Sequence, residues 1–158
     1  MWSWTPTYRN GAGTDLTCQL TDTRTDVPII YVPEGRPVKL IMTSKDVIHS
    51  FYIPAFRTKM DVFPNRYTSM WFQPLQASKT GPNGKYIDDD PKSKTFNKPF
   101  PGVGHEIFCA EYCGTKHSEM AGLMIVLPAK DYERKVYELA TKLPTGTCAE
   151  VGAIIAKR

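Results

Sequence analysis

Gly104-His-Glu-Ile-Phe-Cys109-Ala-Glu-Tyr-Cys113-Gly-Thr-Lys-His117-Ser-Glu-Met120-Ala-Gly122-Leu-Met-Ile-Val-Leu127 reads as two short runs of bulky residues joined by a loop that carries two thiols, an imidazole and a thioether. Runs of this length and makeup predict strands over Gly104 to Cys109 and Gly122 to Leu127. Further out, β-branched and aromatic runs bounded by Gly, Pro, Asn or Asp predict strands at Thr14 to Thr21, Pro28 to Val32, Val38 to Thr43, Val47 to Ile53 and Tyr67 to Pro74. Short strands punctuated by turns give an all-β fold. The expected arrangement is an antiparallel sandwich that buries the inward side chains of two sheets.

Two segments depart from this pattern. Residues Ala77 to Gly102 contain Gly81-Pro82-Asn83-Gly84, the run Asp88-Asp89-Asp90 and several lysines and prolines, a composition too polar for a core strand. A long surface insertion is expected there. From Ala129 to Leu143 the apolar residues Tyr132, Val136, Leu139, Ala140 and Leu143 recur at helical spacing, predicting one C-terminal amphipathic helix that Pro144 ends. The final Ala149 to Arg158 has too little partner surface for a second ordered helix.

A chain of 158 residues is long enough for one domain with a real core, expected over 1–128, with the helix and tail over 129–158. No apolar run approaches the roughly 20 residues that cross a bilayer. The N-terminus opens on Met1-Trp2-Ser3-Trp4 without the basic region and apolar run of a secretory signal. The net charge of +4 is modest, and the Lys and Arg residues are scattered rather than interleaved with aromatics, which argues against nucleic acid as a partner. Of the four cysteines, Cys109 and Cys113 are close together while Cys18 and Cys148 are far away. That grouping suits one metal-ligand pair plus two unrelated thiols better than a disulfide framework.

Sulfur ligands combined with imidazole favour copper or zinc, whereas magnesium and calcium require oxygen cages. Met120 shifts the choice to copper, since structural zinc sites draw on Cys, His and carboxylates rather than thioethers. A mononuclear blue-copper centre needs one Cys, so the second thiolate has to be explained. Two thiolates in one loop can bridge two metal ions, each then needing one imidazole and one weak ligand. His117 serves one ion, and His49, in Asp46-Val47-Ile48-His49-Ser50-Phe51, is the candidate for the other. On its own, His49 would more often be an ordinary core or surface histidine. His105, four residues before Cys109, reads as a strand residue rather than a ligand.

The spacing Cys-x3-Cys-x3-His-x2-Met with a distant His-Ser-Phe resembles the copper A domain of cytochrome c oxidase subunit II. The similarity extends to Pro54-Ala55-Phe56, Lys59-Met60-Asp61, Pro64-Asn65-Arg66 and the opening Trp2-Ser3-Trp4 with Tyr8-Arg9-Asn10-Gly11, running from about Trp2 to Leu127. It implies a cupredoxin-like Greek-key sandwich or barrel on the outer, periplasmic or intermembrane, face of an energy-coupling membrane. It also implies two copper ions bridged by Cys109 and Cys113, with His49 and Met120 completing one ion and His117 and the main-chain carbonyl of Glu111 the other. The Glu111 carboxylate would then reach a magnesium ion at the interface with subunit I. Electrons would come from cytochrome c, with Trp2 or Trp4 as the point where they arrive, and would pass to subunit I. A former membrane-interface anchor is the plainer reading of the two tryptophans.

Phe51, Phe56, Ile107 and Phe108 are expected to form an apolar shell around the metal, as well as ordinary core. The separation of His49 from Cys109 exceeds what is usual for the family, and the 77–102 insertion accounts for it. The Asp88-Asp89-Asp90 run reads as solvated loop more readily than as a steering patch for a basic cytochrome c. The parent is expected to be membrane-anchored and this chain a soluble fragment, with Met1 an engineered start. The tail from Glu150 resembles the first helix of a class I cytochrome c domain. Cys18 and Cys148 could pair or remain thiols. The rival readings are the copper A domain of a nitrous oxide reductase, a copper-storage or copper-delivery protein, and a structural zinc domain.

Overall fold

The computed structural model describes residues 7–9, 15–17 and 28–142. Trp2, Trp4, Cys18, Cys148 and the tail after residue 142 lie outside the described residues. The elements in chain order are β1 (Thr7–Arg9), β2 (Asp15–Thr17), β3 (Ile29–Pro33), β4 (Val38–Met42), β5 (His49–Ile53), β6 (Thr58–Val62), β7 (Thr68–Phe72), β8 (His105–Cys109), β9 (Ala121–Leu127) and α1 (Ala129–Lys142). β1 and β2 form an antiparallel pair of their own.

A five-stranded sheet in the order β3-β9-β8-β5-β6 makes one layer, and the β4–β7 pair makes the other. Between them lie Ile30, Val32, Phe51, Ile53, Val62, Met70, Ile107, Met124 and Val126, with Val38, Leu40, Met42 and Phe72 closing the core from the β4–β7 side. The side-chain period of two explains this core, because alternate residues of each strand reach the same face. This is the expected all-β sandwich, with one correction. β3 and β9 pair in parallel, from Ile29 opposite Leu123 to Pro33 opposite Leu127, whereas β5–β6, β5–β8, β8–β9 and β4–β7 are antiparallel. Parallel neighbours need a long crossover, and here almost the whole sandwich lies between the two strands.

Strand β6 was not legible as a strand. Its sequence Thr58-Lys59-Met60-Asp61-Val62 mixes charged residues into a short run, yet it pairs with β5 at five positions. Asp61 tolerates this place because Ser50 Oγ donates to its Oδ1 at 2.7 Å. The strand expected from Val47 instead begins at His49, since Ser44 and Asp46 build a turn ahead of it. Ser44 Oγ accepts from Asp46 N at 3.2 Å, and Val47 and Ile48 are left exposed.

The 77–102 insertion is irregular, as its composition requires, but it is organised around Asp88. Asp88 Oδ2 accepts from Thr95 Oγ1 at 2.6 Å, its Oδ1 accepts from Asp90 N at 3.1 Å, and its main chain bonds to Asn97 N and Lys98 O. Asp88 is therefore buried rather than solvated, and hydrogen bonds from Ser93, Thr95 and the Asp90 amide hold its carboxyl below the ordinary carboxylate range. Asp89 is tied to Lys85, which leaves no open acidic patch of three. After the sandwich, α1 packs on β3 and β9 through the fully buried Val136.

Two outcomes follow from this packing. Phe51→Ala empties the centre of the core and should cost about 3–5 kcal/mol, read as a lower denaturant midpoint with unchanged slope. Asp88, being depressed, contributes stability above its unfolded pKa that is lost as pH falls through the lower folded value. Asp88→Asn should therefore raise amide exchange across residues 85–99 at neutral pH, with the difference from the parent shrinking in acid. Equal exchange at neutral pH would contradict the role given to Asp88.

Candidate metal centre

The two cysteines sit at the mouth of the sandwich because β8 ends there. Ile107 and Cys109 share its inward parity, and Phe108 points out at 37% exposure. The expected apolar shell is thus corrected at Phe108. Phe51 and Ile107 are buried as expected, while Phe56 stacks at 5.2 Å on Phe72 and at 5.0 Å on His105. That contact keeps His105 among aromatic rings, where burial lowers its pKa.

His49 arrives at the same place from the start of β5. The register pairs Phe51 with Cys109, and Ala110 N donates to Ser50 O at 2.9 Å. His49 Nδ1 lies 3.7 Å from Cys109 Sγ, and Cys109 Sγ lies 3.7 Å from Cys113 Sγ. At that separation the sulfurs are thiols, not a disulfide, whose bond is about 2.05 Å. Gly114, at φ +116°, turns the chain after Cys113, and its carbonyl accepts from His117 N at 3.0 Å. The turn brings His117 Nδ1 to 3.4 Å and Met120 Sδ to 3.4 Å from Cys113 Sγ. Glu111 contributes its main-chain oxygen, 3.2 Å from Cys109 Sγ, while its side chain is exposed. All six candidate ligands therefore gather around the sulfur pair, and the atoms of His49, Cys109 and Cys113 lie within 4.8 Å of one another.

A residue that sequence reasoning missed is Asp46. Its Oδ1 accepts from His49 Nε2 at 2.8 Å, which fixes the tautomer with Nδ1 turned to the thiols. The His49 hydrogen bond, followed by those from the Val47 amide and Ser44, holds the Asp46 carboxyl far below the ordinary range. The signal was present as a carboxylate three residues before the histidine, but only the turn that precedes β5 shows that the two meet. Tyr112, exposed, stacks on His117 at 5.7 Å.

The donor set fits a soft cation. Burial, and then the neighbouring Cys109 thiol, push the Cys113 thiol up. Without a cation the Cys113 thiol is therefore held toward its protonated form, and a metal that binds through sulfur must displace the thiol protons. No carboxylate oxygen joins the cluster among the described residues, which disfavours calcium and magnesium.

The family profile described as cytochrome c oxidase subunit II, periplasmic domain, matches residues 12–81. The alternative cytochrome c oxidase subunit 2 of Bradyrhizobium diazoefficiens is 35% identical over 103 residues, 65% of this chain and 28% of that protein. The probable cytochrome c oxidase subunit 2 of Mycobacterium leprae is 31% identical over 135 residues, 85% of this chain and 32% of that protein. The chain thus spans about a third or less of the length of these relatives. In fold it resembles the crystal structure of the periplasmic domain of subunit II of cytochrome oxidase from Bradyrhizobium japonicum, with TM-score 0.57 and 23% identity over 90% of this chain and 89% of that one.

Losing the ring anchor should weaken metal capture without unfolding the chain. Asp46→Ala is expected to lower copper affinity about 10–100-fold, measured by competition with a chromophoric chelator. Because binding releases thiol protons, affinity in parent and variant alike should rise with pH. A pH-independent affinity would contradict thiolate ligation.

Proposed function

Because this chain belongs to the family of cytochrome c oxidase subunit II, as its periplasmic domain, we propose that it is the electron-receiving domain of a haem–copper oxidase. In this reading Cys109, Cys113, His49, His117, Met120 and the Glu111 carbonyl hold a dinuclear copper A centre. Cytochrome c is the donor, with Trp2 or Trp4 as the point of arrival, and the oxygen-reducing subunit I is the acceptor. When bound, the copper pair supplies reversible one-electron redox chemistry, with charge shared between two ions so that bond lengths change little.

The observation that carries this reading is the sulfur pair at 3.7 Å with an imidazole Nδ1 on each side, at 3.7 Å from Cys109 and 3.4 Å from Cys113. A single-copper site has no use for the second thiol, and a zinc site has none for the thioether. Assignment of His49 with Met120 to one ion, and of His117 with the Glu111 carbonyl to the other, rests on the family resemblance.

The protein's own residues hold and shield. Asp46 fixes the His49 ring, Ser50 ties β5 to the cysteine loop through its carbonyl, and Phe51 and Ile107 keep water from the inner side. Rigid ligands and a dry wall lower the cost of reorganising the site as an electron arrives and leaves. The exposed Glu111 carboxylate is free for magnesium at the subunit I interface of the parent complex. Such a domain works on the outer face of the membrane and makes or breaks no bond of a substrate.

Copper-loaded chain should be purple and give a many-line electron paramagnetic resonance spectrum from one unpaired electron shared by two copper nuclei. Cys109→Ser should abolish both. A four-line spectrum from the parent chain, a colourless Cu(I) form that resists oxidation, or unchanged colour in Cys109→Ser would each overturn the proposal.

A further inference from the structure

β4 and β7 pair over five positions with strict alternation. Val38, Leu40, Met42, Met70 and Phe72 turn to the core, while Lys39, Ile41, Ser69 and Trp71 turn away from it. A sheet with one wet face ordinarily carries polar residues outward. Here Ile41 is 66% exposed and Trp71 73%, with Tyr67 at 77% and Leu75 at 83% just beyond the strand ends. Trp71 lies opposite Lys39 and Ile41 opposite Ser69, which makes Ile41 and Trp71 diagonal cross-strand neighbours. They form one patch rather than scattered exposed side chains.

The charge carried by the ribbon and its immediate flanks has one sign. The segments Arg36 to Lys45 and Arg66 to Leu75 contain Arg36, Lys39, Lys45 and Arg66 and no Asp or Glu. The carboxylates next in sequence are engaged by other partners: Glu34 Oε1 accepts from Ala77 N, and Asp46 Oδ1 accepts from His49 Nε2. Among the described residues none of the four cations makes an ion pair; Arg66 lies over the Phe63 ring at 4.0 Å. A groove of about 580 Å³ lies elsewhere among the described residues, between the Pro99–Gly104 segment and β8–β9.

We propose that the outward face of the β4–β7 ribbon rests on an anionic lipid surface. A Trp and a Tyr beside aliphatic side chains suit the headgroup boundary, where amphipathic rings settle. Unpaired Lys and Arg are drawn to acidic lipid headgroups. Outward side chains spread along a two-stranded ribbon suit contact with an extended surface such as a lipid plane. The proposal stands independently of the copper assignment, since no metal ligand lies on this face.

Sedimentation of the whole chain with phosphatidylcholine vesicles containing phosphatidylglycerol, and with phosphatidylcholine vesicles alone, tests it. The chain should pellet with the acidic vesicles, stay in solution with the neutral ones, and be released by added salt as the charges are screened. Lys39→Gln should weaken binding roughly fivefold, and the Ile41→Ser, Trp71→Ser double variant should weaken it at least as much. Circular dichroism of the variants checks that the fold is kept, and should the double variant fail to fold, Lys39→Gln decides alone. Absence of binding to acidic vesicles, equal binding to neutral ones, or full binding by Lys39→Gln would overturn the proposal and leave an acidic protein as the occupant to be sought.

Discussion

The hydrogen bond from Ala110 N to Ser50 O, 2.9 Å long, and the adjacent pairing of Phe51 with Cys109 lock the start of β5 to the end of β8. Every candidate ligand hangs on that junction. It sets the His49 imidazole beside the first cysteine although 60 positions separate them in the chain. A one-residue slip between β5 and β8 would put Phe51 and Cys109 on opposite faces of the sheet, since the side-chain period is two. The buried core prevents that slip: Phe51, Ile53, Ile107 and Met124 each occupy the inward parity of their strands. Core packing and the placement of the candidate ligands are therefore one constraint, expressed at the two ends of the same strands.

Around the junction the sequence supplies restraint of a different kind. Gly114 permits the turn that folds His117 and Met120 back over Cys113. Asp46 orients the His49 ring, and the Ser50–Asp61 hydrogen bond fixes β6 against β5. These contacts hold the donors together before any ion is present. Burial and the neighbouring thiol disfavour ionisation of Cys113, so stabilisation of its thiolate would fall to a bound cation. The placement combines a preformed geometry with an electrostatic demand that only a cation meets.

Much of this was legible in the sequence, and the reasons are physical. The cysteine loop is compact, and its residue types are chemically selective, so Cys109, Cys113, His117 and Met120 could be named as candidate donors, and the fold brings them together. His49 could be reached because a bridged pair of ions demands a second imidazole. The strands with regular apolar alternation, β4 and β7 among them, were placed within a residue or two. What escaped was set by tertiary partners. β6 hides behind Lys59 and Asp61, the parallel β3–β9 pairing depends on a crossover longer than any local pattern, and Asp46 is a functional residue only by virtue of a turn. Asp88 looked solvated because its partners, Thr95 and the Asp90 amide, belong to a loop with no periodicity. Phe108 was assigned to the shell by its apolarity, whereas strand parity turns it outward.

Counting metal ions on the intact chain tests the central claim most directly. A native mass spectrum of the fully copper-reconstituted chain should show a holo species heavier than the apo chain by two copper atoms less the two thiol protons they displace. A one-copper species that persists with copper in excess would mean that the sulfur pair does not bridge two ions.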